Sequence, residues 1–222
     1  VVAATQHFRQ RDGGADGQGL AEEVQKNFEA LGGEVVAFEA ITVGEADYSA
    51  TLASVAAKDP EAVYFGGYSA EGIIMMNQWV QSGLEGVLFF GCDGTYGVEF
   101  TQKTGANSIG ALAASLVPPD SAEKTAFDVI YQSTFGLQAG ELSAFTWSAY
   151  DTAWTLIEAA KSVAFVDGDT LYIPRSQMVA AVRTTNYNGL TGAVVCDAFG
   201  ECNASGPTFY EVVSDGAGGA VW

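Results

Sequence analysis

Several residue types are scarce in this 222-residue chain, and each scarcity excludes a class of function. There is one histidine, His7, so a metal site built from several histidines is excluded. Only nine Lys and Arg residues stand against 27 Asp and Glu residues, for a formal net charge of −18 at pH 7. So acidic a chain repels phosphate backbones and anionic lipids, which argues against nucleic-acid binding and peripheral membrane binding. No run of about 18 apolar residues occurs, so no segment is expected to insert into a membrane.

The apolar content, by contrast, is ample for a folded protein. Hydrophobic residues make up 48% of the chain, and at about 100–200 residues per domain the length suits one or two domains. The chain opens on the apolar run Val1–Thr5 without an initiator Met, a basic segment or a long apolar segment. We therefore expect either that a signal peptide of the precursor was removed or that a larger N-terminal portion is missing.

Short apolar runs alternate with helical patterns over the first half of the chain. The helical pattern is clearest in the apolar stripe at Leu20, Val24, Phe28 and Leu31. The predicted strands and the apolar stretch that follows them are Val1–Thr5, Val35–Phe38, Ala62–Phe65, Val87–Phe90 and Ile109–Leu116. This alternation predicts an α/β fold with a mostly parallel, Rossmann-like sheet, and the continuous apolar runs indicate that both sheet faces are covered.

The pattern changes at Pro118-Pro119, where two prolines force an extended link. Three helices without intervening strands are predicted beyond it, at Ala122–Thr134, Ser143–Ser162 and Arg175–Thr184. Strand patterns return at Leu190–Val195 and Thr208–Val213. We therefore predict one α/β lobe, residues 1–117 and 188–222, interrupted by a helical segment, residues 118–187, that lacks a sheet of its own. The uncovered stripes of that segment are expected to promote self-association of the chain.

Three patterns associated with catalysis or ion binding are incomplete. The run from Gly67 through Ser69 to Glu71 approaches the Gly-x-Ser-x-Gly nucleophile motif, but the last glycine is missing and the only histidine precedes the serine. Asp12 to Glu23 imitates a calcium loop without the acidic residue at its third position, which is Gly14. The same loop lacks the last glycine of a phosphate-binding motif. We predict no enzyme activity, no cofactor and no metal.

The cysteines point to an oxidising compartment. Cys196 and Cys202 bracket five residues between two predicted strands, a spacing that allows a disulfide across a hairpin. A metal pair is the alternative, but two further ligands are missing. A disulfide is typical of an exported protein. Cys92 is left over and is expected to be a small buried residue.

The order of short motifs along the chain resembles a known family. The matching stretches are Asp16-Gly17-Gln18-Gly19-Leu20, Ala62–Gly67 with Tyr68-Ser69-Ala70-Glu71, Gly83-Leu84, Gly91-Cys92-Asp93-Gly94, Gly189-Leu190-Thr191-Gly192 and Asp197-Ala198-Phe199-Gly200. Together they resemble the C-terminal two-thirds of type I periplasmic solute-binding proteins, in the branch that binds branched-chain amino acids. The resemblance implies two α/β lobes joined by three crossovers. Residues 118–187 would then belong to an N-terminal lobe whose sheet is absent from this chain.

The resemblance also implies which residues contact the ligand in the cleft between the lobes. Tyr68 matches an aromatic residue that lines the pocket, and Asp93 matches the acidic residue that pairs with the ligand's ammonium group. Asp16 stands where the family usually has an aromatic residue, which favours a more polar or cationic ligand. Tyr96 is a fourth candidate, on the rim or in the core. Structural roles stay open for the others: turn formation for Asp93, packing for Tyr68, and helix capping for Asp16.

The function implied by the resemblance is non-enzymatic. The chain would be the extracytoplasmic solute-binding component of an ABC importer, closing by a hinge on a small amino acid or related compound and delivering it to permease subunits. The location would be periplasmic or extracellular, and a membrane-tethered lipoprotein form stays open. The alternative is the ligand-binding domain of an extracellular sensor or receptor with the same fold.

Overall fold

The computed structural model describes residues 2–7, 16–202 and 207–222; the side chains of residues 2–7 and 16 lie outside the description. The chain divides into two compact units. The sheet unit comprises residues 1–115 and 208–222, and the helical unit comprises residues 116–207.

The strands, in chain order, are β1 (Val2–His7), β2 (Ala37–Thr42), β3 (Ala62–Gly66), β4 (Leu88–Gly91), β5 (Leu112–Ser115), β6 (Phe165–Asp167), β7 (Thr170–Tyr172), β8 (Asn186–Gly189), β9 (Gly192–Val195), β10 (Thr208–Glu211), β11 (Val213–Ser214) and β12 (Ala220–Val221). The helices are α1 (Asp16–Ala30), α2 (Ser49–Ala56), α3 (Ser69–Gln78), α4 (Val98–Thr104), α5 (Ala122–Phe135), α6 (Thr146–Val163) and α7 (Arg175–Arg183). No helix among these described residues is long and apolar enough to cross a bilayer.

The sheet unit is built on a six-stranded sheet with the order β10-β5-β4-β3-β1-β2. Every neighbouring pair is parallel except β10 with β5. The predicted α/β fold with a mostly parallel sheet is therefore confirmed. Each parallel connection passes through a helix, as parallel pairing requires.

Both faces of this sheet carry buried side chains, because successive strand residues point to opposite sides. On one face, Val63 and Phe65 of β3 join a large cluster with residues of α2, α3 and α4. On the other face, Tyr64 packs with Ala21 of α1 and with Cys92. The continuous apolar run of β3 follows from this burial on both sides.

Of the helices α5, α6 and α7, only α6 carries buried side chains in the described part of the helical unit. They are Trp147, Asp151, Thr155 and Ala159, whereas α5 and α7 contribute none. The Asp151 carboxylate accepts hydrogen bonds from the backbone N–H groups of Leu190 (2.9 Å) and Thr191 (2.8 Å) and from the Thr191 hydroxyl (2.7 Å). These bonds fix the turn between β8 and β9 against α6.

Two predictions about the second half of the chain differ from the structure. The prediction of helices without intervening strands is wrong at β6 and β7, which form an antiparallel hairpin between α6 and α7. The predicted return to the first lobe at residue 188 also differs, because residues 188–207 cluster with the helical unit. The physical reason is that β8 pairs with β9 and their turn is bonded to Asp151. Only residues 208–222 return to the sheet unit.

Candidate functional site

The carboxyl ends of β1, β3 and β4 lie side by side at one edge of the sheet, because these strands are adjacent and parallel. From β1 the chain goes first to β2 on one side and later to β3 on the other. Connections therefore run in opposite directions on either side of the β1–β3 pair. In open α/β sheets, ligands bind outside the carboxyl ends of the strands at such a switch point.

The turn after β3 lies at this switch point and carries Tyr68. A Cβ atom on Gly66 would lie 2.7 Å from the carbonyl oxygen of Gly17, so glycine lets the first turn of α1 approach the end of β3. Tyr68 directly precedes α3 in an extended conformation and is 51% exposed. An aromatic ring held at a strand end and half open to solvent suits the wall of a binding site.

The turn after β4 carries Asp93, which is half-buried and opens the short 3-10 turn Asp93–Thr95. Among the described residues, no donor lies within hydrogen-bonding distance of the Asp93 carboxylate. A Cβ atom on Gly94 would lie 2.7 Å from the Gly67 carbonyl oxygen and 3.0 Å from Cδ1 of Tyr68. The Tyr68 ring therefore packs against the residue that follows Asp93, and the structure brings these two predicted residues together.

The thiol of Cys92 and the phenol of Tyr64, both close to Asp93, stay protonated at physiological pH. Burial raises the pKa of the Cys92 thiol to about 11, and the negative charge of Asp93 contributes to that rise. Burial also raises the pKa of Tyr64, and the negative charge of Asp93 adds to the effect. The site therefore combines a carboxylate with neutral thiol and phenol neighbours, an arrangement that favours a positively charged ligand group.

The other two predicted site residues are Tyr96 and Asp16. Tyr96 packs against the rings of Tyr210 (centroids 4.8 Å apart) and Trp222 (5.2 Å), and burial together with Tyr210 raises its pKa. This aromatic group gives Tyr96 a packing role. Asp16 begins α1, but its side chain lies outside the described residues, and so does most of the loop considered for calcium.

Ser69, the serine of the incomplete nucleophile motif, is hydrogen-bonded to the backbone. The Ser69 hydroxyl lies 3.2 Å from the carbonyl oxygen of Gly94 and 3.3 Å from that of Thr95, so its proton is engaged by the backbone. No group of three or more His, Cys, Asp or Glu residues suited to a metal occurs in the part of the chain that the structure describes.

The predicted disulfide between Cys196 and Cys202 is confirmed. Within the loop that it closes, one carboxylate oxygen of Asp197 accepts hydrogen bonds from the N–H groups of Phe199, Gly200 and Glu201. Cys92 is buried and free, as expected.

A groove of about 310 Å³ lies at the opposite edge of the sheet, near the amino ends of β4 and β5. Trp79, Leu88 and Ile109 are among the described residues that line it, and Glu85 is the one charged residue among them. Its position at the amino edge separates it from the switch point.

Comparison with known proteins agrees with this fold. The profile of a family described as periplasmic binding protein matches residues 8–217. A Pseudomonas aeruginosa leucine-, isoleucine-, valine-, threonine- and alanine-binding protein is 27% identical over 200 residues, which are 88% of this chain and 50% of that protein. The chain spans about half the length of the curated relatives it matches.

Solved structures show the same fold. A type 1 periplasmic binding protein from Bordetella pertussis superposes with a TM-score of 0.80 at 16% identity, covering 98% of this chain and 60% of that one. A branched-chain amino acid transporter substrate-binding protein from Streptococcus pneumoniae, in complex with isoleucine, gives 0.70 at 23% identity, covering 99% and 58%. Since the family profile spans most of the sequence, the chain belongs to the periplasmic binding protein family.

Proposed function

We propose that this chain forms part of the extracytoplasmic solute-binding component of an ABC importer and that it binds a small amino acid or a related compound. One observation carries the proposal. Asp93 and Tyr68 lie side by side at the carboxyl edge of the sheet, beside the topological switch point, in a member of a family of binding proteins. We propose that the protein binds and delivers its ligand without chemical conversion.

The roles of the two residues follow from their chemistry. The Asp93 carboxylate pairs with the ammonium group of the ligand, a charge-assisted bond about twice as strong as a neutral one. Tyr68 contacts the rest of the ligand with its ring. Asp16 adds a further acidic contact from the start of α1, which favours a polar or cationic ligand. Tyr96 packs against Tyr210 and Trp222 and so stabilises the turn that follows Asp93.

In this proposal, the exposed faces of the helices in the helical unit pack against a second lobe. Apolar side chains on α5, α6 and α7 are exposed, among them Val129, Ile130, Trp154, Ile157 and Val179. Helices of this kind require a partner layer. The sheet of an N-terminal lobe covers them in the complete protein, which closes by a hinge around the ligand and then docks on the permease subunits. Without that lobe the chain self-associates through these faces.

Isothermal titration calorimetry of the complete gene product tests the proposal. A panel of L-amino acids, their amides and small carboxylates is titrated, and at least one amino acid is expected to bind with heat that saturates at one ligand per protein. If no member of the panel binds, the transport function is rejected. If an ammonium-bearing ligand binds Asp93→Ala as tightly as it binds the unaltered protein, Asp93 is not part of the binding site.

The control for Asp93→Ala is Asp120→Ala, since the Asp120 side chain lies in the helical unit and is exposed to solvent. We expect this variant to bind the ligand as the unaltered protein does. A loss of binding in both variants indicates a general effect of charge removal and contradicts a specific role for Asp93.

A further inference from the structure

Ser69 connects the two turns of the proposed site. It begins α3, directly after Tyr68, and its hydroxyl reaches the carbonyl oxygens of Gly94 (3.2 Å) and Thr95 (3.3 Å) in the turn after β4. The two turns are 25 residues apart in sequence. One hydroxyl proton is thus shared between two carbonyl groups of the turn that Asp93 opens.

Cys92 connects the same turns from the other side. Its backbone N–H donates to the carbonyl oxygen of Phe65 (3.0 Å), and its thiol donates to that of Gly67 (3.1 Å). Gly94 leaves no room between the turns for a side chain, because a Cβ atom there would press on the Gly67 backbone and the Tyr68 ring. The turns after β3 and β4 therefore form one hydrogen-bonded block that carries both Tyr68 and Asp93.

We propose that Ser69 is a positioning residue that fixes the direction of the Asp93 carboxylate and thereby sets the preference for ammonium-bearing ligands. This inference rests on the proposed amino-acid site. The hydroxyl of Ser69 bonds to the backbone carbonyl groups of Gly94 and Thr95. It therefore acts on the ligand through Asp93, the residue that precedes Gly94. When the backbone that carries a carboxylate is already held in place, less conformational freedom is lost as the carboxylate pairs with an ammonium group, so part of the ordering is complete before the ligand arrives.

Binding measurements on the complete gene product test this role, with L-leucine as the probe. Ser69→Ala is expected to weaken binding about three- to tenfold, because the hydroxyl bonds to the second turn are lost. Ser69→Thr retains a hydroxyl and is expected to stay within about twofold of the unaltered protein. In an Asp93→Asn background, Ser69→Ala is expected to have no further effect. Equal weakening in both backgrounds means that Ser69 acts on the fold alone and overturns the proposal.

Hydrogen–deuterium exchange of the ligand-free protein provides a second test. Ser69→Ala is expected to speed exchange about three- to tenfold at the amides of Thr95 and Tyr96, although the substitution lies in the other turn. Ser133→Ala is the matched control, because that hydroxyl bonds to the Ile130 carbonyl within its own helix. It is expected to leave exchange in both turns unchanged.

The two tests separate the positioning role from the proposed function. If L-leucine binds the unaltered protein and exchange at Thr95 and Tyr96 is unchanged in Ser69→Ala, the positioning role is overturned while the amino-acid site stands. If exchange rises as expected but neither L-leucine nor any other amino acid binds, the proposed function fails and the role of Ser69 in ligand preference fails with it.

Discussion

Asp151 is a buried carboxylate whose three hydrogen bonds join distant parts of the helical unit. The side chain is 4% exposed, and its donors lie about 40 residues later in the sequence. The hydroxyl of Tyr187 also donates to the backbone carbonyl of Asp151 (2.8 Å). Because a buried carboxylate requires several donors and a tight turn exposes several N–H groups, each satisfies the other.

Replacing Asp151 with alanine removes the acceptor for three donors. We expect Asp151→Ala to lower the free energy of unfolding by about 3 kcal/mol, because buried N–H groups are left without partners. Urea denaturation of the complete gene product measures the change. The exposed Asp120→Ala is the control, with an expected change within about 0.5 kcal/mol. Similar losses of unfolding free energy in the two variants would contradict the stabilising role of the hydrogen bonds between Asp151 and the β8–β9 turn.

Cys92 provides a prediction about pH. Its pKa rises from 9.0 to about 11 on folding, so the stability that the protonated thiol contributes is present below pH 9 and lost as the pH rises through 11. The thiolate is the reactive form. At pH 8, iodoacetamide is therefore expected to label native Cys92 about 100-fold more slowly than the unfolded chain. Peptide mass spectrometry follows the labelling, and comparable rates in both states contradict the burial.

At the residue scale, the sequence predicts where Tyr68 and Asp93 lie in the fold better than it predicts the contacts between their turns. Tyr68 and Asp93 follow predicted strands, so a shared sheet edge is predictable from the alternating pattern alone. The bonds that join their turns are not, because Ser69 and Cys92 are short polar residues whose partners lie about 25 residues away. Gly94 gives a signal for a turn, but the close approach that requires glycine appears only in the structure.

At the scale of elements, burial decides what is predictable. Strands β3 and β4 match their predicted runs within one residue because they are apolar and lie inside the sheet. The strands β6 and β7 are missed because each has three residues, all exposed, and so lacks a pattern of burial. The predicted stripe of α1 is only partly correct. Val24 and Phe28 are half-buried, but Leu31 lies past the helix end and is 88% exposed.

The loop closed by Cys196 and Cys202 yields a prediction at this scale. The double variant Cys196→Ser, Cys202→Ser is expected to lower the free energy of unfolding by about 2 kcal/mol, because the unfolded chain is released from a seven-residue ring. The hydrogen bonds of Asp197 hold the turn in the disulfide-bonded protein, and we expect them to persist in the variant. Denaturant unfolding measures the change. Equal unfolding midpoints and slopes for the variant and the disulfide-bonded protein contradict this contribution.

At the scale of the whole molecule, the two units differ in how completely they are packed. The sheet unit holds both clusters of buried hydrophobic residues found in the described part of the chain. The helical unit exposes large apolar side chains on each of its three helices. With a chain that spans about half the length of its curated relatives, this contrast supports the proposal that a further lobe completes the binding protein.

A crystal structure of the complete gene product with the amino acid of the panel that binds most tightly tests whether Asp93 pairs with the ligand. The measured quantity is the distance from the ligand nitrogen to the Asp93 carboxylate. We expect about 2.7–2.9 Å, as in charge-assisted hydrogen bonds, with the Tyr68 ring against the ligand. A ligand in the amino-edge groove near Trp79 and Ile109, or an ammonium group paired with another residue, would contradict this expectation.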